Sequence, residues 1–297
     1  MTTIIDGKKV AEEIRAELKN KIDWLRSLNL RVPGLVTIMV GDNPASYSYV
    51  TSKGKACNAI GMLSKIEKLD ETATEQQLLD LIDFYNSSND FDGILVQLPL
   101  PKHINEDKVI ERISPAKDVD GFHPITIGNL VIGKDTFYPC TPNGIVELLK
   151  YYKIETSGKH VVVVGRSNIV GKPIANMMLQ KKEGANSIVT ICHSAAKDLS
   201  RYTKDADILI AAIGQPNFIK ADMVKEGVVV IDVGINRLED STKPKGYRIV
   251  GDVDFENVSP KASYITPVPG GVGLMTIAML LRNTFLAYIK ITKQKLA

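Results

Sequence analysis

Tyr49 and Lys53, four residues apart, are the first side chains along the sequence whose types could do chemistry together. On a helix that spacing puts them on one face, where both can meet a single ligand. A lysine in an apolar cleft has its ammonium form destabilised and can exchange protons near neutrality, and a neighbouring phenol can orient it. The same pair serves equally well as an ordinary exposed helix face. Gln97 closes the apolar run GILVQL and is followed by LPLP, whose prolines stiffen the loop. Asp118 and Asp120 stand in KDVDGF. An amide that both donates and accepts, beside an ionised Asp120 that only accepts, suits a ligand edge rich in N–H groups. A strand-end amide and an Asp-Gly turn are the structural alternatives.

A second set of residues surrounds the turn from Gly165 to Gly171. Four consecutive valines lead into Gly165, and RSNIVGKPIANMML then turns and starts a helix. Helix N-termini expose unpaired N–H groups, and glycine lets the backbone approach a pyrophosphate closely. The pattern is G-x5-G and departs from the general dinucleotide fingerprint, so a glycine-bearing turn that binds nothing reads the same way. Further glycines follow the later strands at Gly214, at Gly234 and in the GGVG of 270–273. Ligands of open α/β sheets sit beyond those carboxyl ends. After TIC, where an NAD site presents Asp or Glu to the ribose, the chain has His193 and Ser194. With Arg166 available to pair a 2′-phosphate, NADP is favoured over NAD. Arg166 as a solvated charge, and His193 with Ser194 as a helix cap, are the alternatives.

These residues need elements to hold them. Val10, Ile14, Leu18, Ile22 and Leu25 recur at helical spacing, which predicts an amphipathic helix up to Leu28. A strand over 35–41, a helix opened by Asn43 and Pro44 and ending near Gly61, a strand over 63–66, a helix over 74–86, a strand over 93–98 and a helix over 106–113 follow. The alternation predicts an α/β fold with a mostly parallel sheet. Residues 114–142, dense in Gly, Pro and Asp, read as loop and domain border. A helix opened by Thr141 and Pro142 leads into a second alternating series: HVVVVG, SIVTIC, DILIAAIG, VVVIDVG and SYITPVPGGVG.

The chain has 297 residues, and its 37 basic and 34 acidic side chains are well mixed, so nothing advertises nucleic acid. Cys57, Cys140 and Cys192 have no metal-ligand spacing, so no metal is expected, and they fit a reducing cytosol. The start, MTTIIDGKKVAEEI, does not read as a targeting segment, and no later run reaches the length of unbroken apolar residues that a membrane span needs. A cytoplasmic protein is expected.

Taken together, IDGKKVAEEI, YVTSKGKAC, GILVQLPLP, KDVDGF, PCTPNG, VVVVGRSNIVGKP, TICHS, DILIAAIG, VIDVGIN and ITPVPGGVG resemble blocks of the methylenetetrahydrofolate dehydrogenase/methenyltetrahydrofolate cyclohydrolase family, the bifunctional FolD type, in the family order. The resemblance implies an N-terminal α/β domain (1–140), a Rossmann-type NADP-binding domain (141–273), and a C-terminal helix (274–297) that returns to the first domain. It implies a folate cleft between the domains and a homodimer active in one-carbon metabolism and purine biosynthesis. By that similarity Lys53 is the catalytic lysine, Tyr49 its partner over the substrate, Gln97 a hydrogen-bond partner of the lysine and Asp120 the acceptor for the pterin's amino-pyrimidine edge. Tyr49, Gln97, Leu98, Pro99, Asp120, Pro267, Gly270 and Gly271 meet the tetrahydrofolate substrate. Gly165, Arg166, Ser167, Gly171, His193, Ser194, Gly214, Gly234 and Ile235 meet NADP. Leu274 departs from the family, which usually has proline there, and this puts the rigidity of the GGVG loop in question. The formate-ligase extension of some relatives is absent, which implies two activities at most. A shikimate-type or amino-acid-type dehydrogenase shares the two-domain plan but leaves Asp120 and VQLPLP unexplained. A regulatory nucleotide-binding protein would not need Tyr49, Lys53, Gln97 and Asp120 together.

Overall fold

The computed structural model describes residues 1–243 and 246–294. The chain opens with β1 (Thr3–Ile4) and α1 (Gly7–Ser27) and alternates through β2 (Gly34–Val40), α2 (Pro44–Ile60), β3 (Leu63–Leu69), α3 (Glu75–Ser87), β4 (Gly93–Val96) and α4 (Glu106–Arg112). Helices α5 (Pro124–Val131) and α6 (Cys140–Tyr151) follow. The second series is β5 (His160–Val164), α7 (Gly171–Met178), β6 (Ile188–Cys192), α8 (Ser200–Thr203), β7 (Ile208–Ala211) and β8 (Val229–Asp232). It ends with β9 (Asn236–Glu239), β10 (Tyr247–Val250), α9 (Phe255–Val258), β11 (Tyr264–Ile265) and α10 (Val272–Thr292). The fold is α/β, and it divides into two compact units.

The first unit comprises Glu13–Cys140 and the described residues from Ile277 onward. Its sheet has the order β3-β2-β4 and is parallel throughout. Every residue of β2 is buried, as expected of a central parallel strand covered on both faces. Val36, Ile38 and Val40 pack there with Leu78, Ile82 and Tyr85 of α3. Helix α3 starts where the sequence places it because Thr74 and Gln77 form a capping box, each side chain bonded to the other's backbone N–H. Helix α10 is long and apolar enough to cross a membrane by length and composition. Its described part in this unit buries Met279, Leu280, Leu281 and Tyr288, and Asn283 Nδ2 donates to the carbonyls of Val119 and Tyr138 at 2.8 and 2.9 Å. The stretch expected to be loop throughout 114–142 contains α5. His123 Nδ1 accepts from Ile125 N at 3.0 Å and Pro124 opens the helix, a local signal hidden by the surrounding Gly and Asp.

The second unit comprises Met1–Glu12 and Thr141–Thr276. Its six strands lie in the order β1-β11-β8-β7-β5-β6, with every pairing parallel. Strand β5 has β6 on one side and β7 on the other, so the winding direction reverses there. The crevice beyond the carboxyl end of such a strand is where open α/β sheets bind ligands. The two compact units divide the chain differently from the expected boundaries at both ends. Residues 1–12 belong with this unit because Thr3 and Ile4 pair with Tyr264 and Ile265 as the edge strand. Helix α10 passes from one unit to the other after Thr276, not at residue 274, and residues 295–297 of the expected helix lie outside the described residues. The antiparallel ribbon of β9 and β10 was not expected.

Candidate active site

Helix α2 carries Tyr49 and Lys53, and Asn43 caps it by accepting from Ser46 N at 3.2 Å. The two side chains have different surroundings: Lys53 is 9% exposed and Tyr49 49%. Lys53 Nζ donates to Gln97 Oε1 at 3.0 Å. Gln97 is held in turn, its backbone N–H on Ile38 O at 2.8 Å and its Nε2 on Leu98 O at 2.7 Å. Among the described residues no hydrogen bond joins the Tyr49 hydroxyl to the lysine, so the partner that orients it is Gln97, as the resemblance implies, and not the phenol. Leu98 is half-buried and Pro99 exposed, in the loop that follows β4.

Asp118 and Asp120 divide their work. Asp118 is buried, and its carboxyl oxygens accept from the N–H groups of Gly121, Phe122 and His123 at 3.2, 3.2 and 2.9 Å, which fixes the turn. Asp120 sits half-buried in that turn, and among the described residues its carboxyl accepts no backbone hydrogen bond. Burial pushes its carboxyl above the usual range, the Lys53 charge draws it back, the Asp118 charge pushes it up again and the Cys140 thiol lowers it. Lys53, Gln97 and Asp120 are therefore brought together on one unit: a buried cation, its amide acceptor and a carboxyl within electrostatic reach.

At the carboxyl end of β5 the backbone is close-packed. Gly165 has φ +131°, and a Cβ there would stand 2.2 Å from Ala212 O; one at Gly171 would stand 2.2 Å from Gly165 O. The first-turn N–H groups of α7, expected to stand open, are taken. Ser167 Oγ accepts from Val170 and Gly171 at 3.1 and 3.3 Å, and Ser167 O accepts from Lys172 at 3.0 Å. The donors left without a protein partner, among the described residues, are the backbone N–H groups of Arg166 to Ile169 in the turn itself. Arg166, Ser167 and Ser194 are exposed, and His193 Nδ1 accepts from Ala195 N at 3.3 Å, making a turn that precedes any helix. Gly214 has φ +73° and a Cβ on it would meet nothing within 4 Å. Ile235 is 53% exposed, so the strand ends offer an open, cation-bearing rim that fits a dinucleotide.

Gly7 and Gly271 of this unit are closely packed by the protein itself. Gly271 is buried, its would-be Cβ 2.7 Å from Pro267 O, and Gly7 packs against Gly271 O. Gly270 has φ +117° in the same loop, beside half-buried Pro267. Leu274 leaves the start of α10 intact, with its N–H reaching Gly271 O at 3.4 Å.

Sequence reasoning missed Asp232 and Asp252. Asp252 is fully buried and accepts from Ile213, Gly214 and Gln215 N–H and from Asn236 Nδ2, at 2.6 to 3.0 Å. Asp232 accepts from Gly234, Asp252 and Val253 N–H, each at 2.9 Å. A cue was present, since both acids close or follow apolar strands and each has a glycine nearby, in IDVG and VGDVD. Burial pushes the Asp232 carboxyl up to about 6; its three N–H donors lower it and the Asp252 charge raises it. A raised carboxyl favours the protonated fold. Its stabilisation is full below the ordinary value of 3.8 and is lost as pH rises through about 6. The loss is on the order of 3 kcal/mol. Urea unfolding from pH 4 to pH 7 should show the parent protein declining relative to Asp232→Asn over that window; parallel profiles would remove the assignment.

Comparison with known proteins places this geometry. Residues 5–120 match the model of the tetrahydrofolate dehydrogenase/cyclohydrolase catalytic domain, and residues 139–292 match that of the family's NAD(P)-binding domain. The chain belongs to this family. A bifunctional protein FolD of Bacillus licheniformis is 57% identical over 282 residues, 95% of each chain. Among solved structures, the bifunctional methylenetetrahydrofolate dehydrogenase/cyclohydrolase FolD of Campylobacter jejuni aligns with TM-score 0.92 and 51% identity, over 98% of this chain and 100% of that one. The Trypanosoma brucei dehydrogenase-cyclohydrolase, described in complex with NADP and an inhibitor, aligns with TM-score 0.92 and 37% identity, over 99% of each. Within the family match, Lys53, Gln97 and Asp120 fall in the catalytic-domain segment and the turn from Gly165 to Gly171 in the NAD(P)-binding segment.

Proposed function

We propose that this tetrahydrofolate dehydrogenase/cyclohydrolase oxidises 5,10-methylenetetrahydrofolate with NADP to 5,10-methenyltetrahydrofolate and hydrolyses that product to 10-formyltetrahydrofolate. The observation that carries the proposal is the buried Lys53 ammonium hydrogen-bonded to Gln97, with Asp120 in its field, on a segment that matches the family's catalytic domain. In the first step the methylene carbon loses a hydride, which NADP accepts, and the flanking nitrogens of the substrate share the resulting positive charge. The protein's part is orientation. Asp120, as an acceptor, suits the N–H-rich edge of the pterin ring, and Tyr49, Leu98 and Pro99 offer surface beside it. Pro267, Gly270 and Gly271 are proposed to meet the substrate through the loop before α10.

In the second step water adds to the methenyl carbon. The adduct must then give up its hydroxyl proton and gain one on the departing ring nitrogen, so that the carbon–nitrogen bond opens and one proton is released overall. Lys53, positioned by Gln97, is the group proposed to carry these protons. Arg166 with Ser194 and His193 is proposed to meet the 2′-phosphate of NADP, and Gly214, Gly234 and Ile235 its remaining length. Arg166→Ala should lower the preference for NADP over NAD by about ten- to a hundredfold, the loss of a charge-assisted pair. An unchanged preference, measured from kcat/KM with each dinucleotide, would take Arg166 out of the assignment.

The activity is tested by mixing the protein with NADP and 5,10-methylenetetrahydrofolate and following NADPH and the methenyl product separately. Absence of NADPH would sink the dehydrogenase. We further propose a cytoplasmic homodimer that supplies one-carbon units for purine biosynthesis. The cysteines, all free and buried, are in keeping with a reducing compartment, and light scattering tests the dimer.

A further inference from the structure

The two buried aspartates of the second unit tie together loops that carry three of the proposed ligand contacts. Asp252 Oδ2 accepts from Ile213 and Gly214 at 2.6 and 2.9 Å, and its Oδ1 accepts from Gln215 and from Asn236 Nδ2 at 3.0 and 2.9 Å. The loop after β7 and the start of β9 are thereby held by one carboxyl group. The Asp252 N–H donates to Asp232 Oδ1, which also accepts from Gly234 after β8. The Asp232 N–H donates to Thr266 Oγ1 at 2.7 Å, and Thr266 precedes Pro267 and the GGVG loop. The contact is tight enough to exclude side chains: a Cβ on Gly234 would lie 2.3 Å from Asp252 Oδ1, and one on Gly251 1.8 Å from Asp232 Oδ2. The four carboxyl oxygens are each engaged by N–H donors of these loops, so the pair is placed to act on a ligand through the loops.

We infer that Asp252, seconded by Asp232, is a positioning residue for the dinucleotide, setting NADP affinity by fixing the Gly214 and Ile235 loops in one register. The inference rests on the function proposed above. In Asp252→Asn one carboxyl oxygen becomes an NH2 facing backbone N–H donors, so at least one loop must move. NADP binding measured calorimetrically on the full protein should then weaken by about tenfold or more, the worth of charge-assisted hydrogen bonds. Hydrolysis of methenyltetrahydrofolate, which uses no dinucleotide, should fall by a clearly smaller factor, set only by what reaches the Pro267 loop through Asp232 and Thr266. A purely structural role predicts instead that both fall together with the folded fraction, and that result overturns the proposal, as does folded Asp252→Asn that binds NADP like the parent. Asn236→Ala removes a single bond to the same carboxyl and should weaken NADP by less. If Asp252→Asn does not fold, an unchanged affinity in Asn236→Ala overturns the proposal. A parent protein that fails to bind NADP overturns the underlying function and this inference with it, whereas a parent that binds leaves the two separable.

Discussion

Lys53→Met is expected to slow hydrolysis of methenyltetrahydrofolate by about 10²- to 10⁴-fold, the usual worth of a positioned proton carrier. Methionine keeps the unbranched stem and much of the volume, so the pocket that leaves Lys53 only 9% exposed stays filled. What disappears is the ammonium group, its 3.0 Å bond to Gln97 Oε1 and the charge that draws Asp120 back toward the ordinary carboxylate range. Gln97 itself remains anchored through Ile38 O and Leu98 O, so the loss is local. Hydride transfer asks for no proton, so NADPH formation should fall by a smaller factor than hydrolysis. The comparison is made on folded protein by following methenyl decay above the buffer rate and NADPH formation in parallel. Near-normal hydrolysis in that variant would end the case for the lysine.

Gly165→Ala should be far more damaging than an added methyl at an open left-handed glycine. Its Cβ would meet Ala212 O at 2.2 Å, and φ +131° lies in a region that side chains rarely adopt. Either β5 or the end of β7 must shift, and the cost is about 3 kcal/mol or more, in the range of overpacking added to backbone strain. The turn that offers Arg166 to Ile169 N–H groups shifts with it, so NADP affinity should fall as well. Gly227→Ala is the control: φ there is +79°, yet a Cβ meets nothing within 4 Å. It should lose only the left-handed backbone penalty of about 1 to 2 kcal/mol. Equal urea midpoints for the two variants would show that the contact with Ala212 gives way.

Much of this was legible in the sequence because the signals are local. The capping box of α3, Asn43 ahead of α2 and the valine run of β5 all act within a few residues of themselves. The proposed site residues Lys53, Gln97 and Asp120 stand out by type at strand ends and on a helix face, and the family blocks gather them. What stayed hidden depends on distant partners. Strand β1 is two residues long and exists because Tyr264 and Ile265 offer an edge. The i, i+4 spacing alone leaves undecided whether Lys53 turns to Gln97 or Tyr49; the resemblance pointed to Gln97, and the packing puts the lysine there. Likewise the hydroxyl of Ser167, a residue read as a ligand contact, spends its acceptor on Val170 and Gly171.

The strand-end glycines looked at first like a uniform set of openings for a ligand. Gly234 and Gly251 are occupied from within, each by the carboxyl group of the aspartate that neighbours the other: Asp252 against Gly234, Asp232 against Gly251. The two halves form a reciprocal clasp, so the four positions act as one unit of inheritance and of design. Enlarging either glycine evicts a carboxyl group and strands up to four N–H donors, while shortening an aspartate opens room that its glycine cannot fill. Re-engineering of the cofactor loops would therefore have to start by replacing the clasp whole.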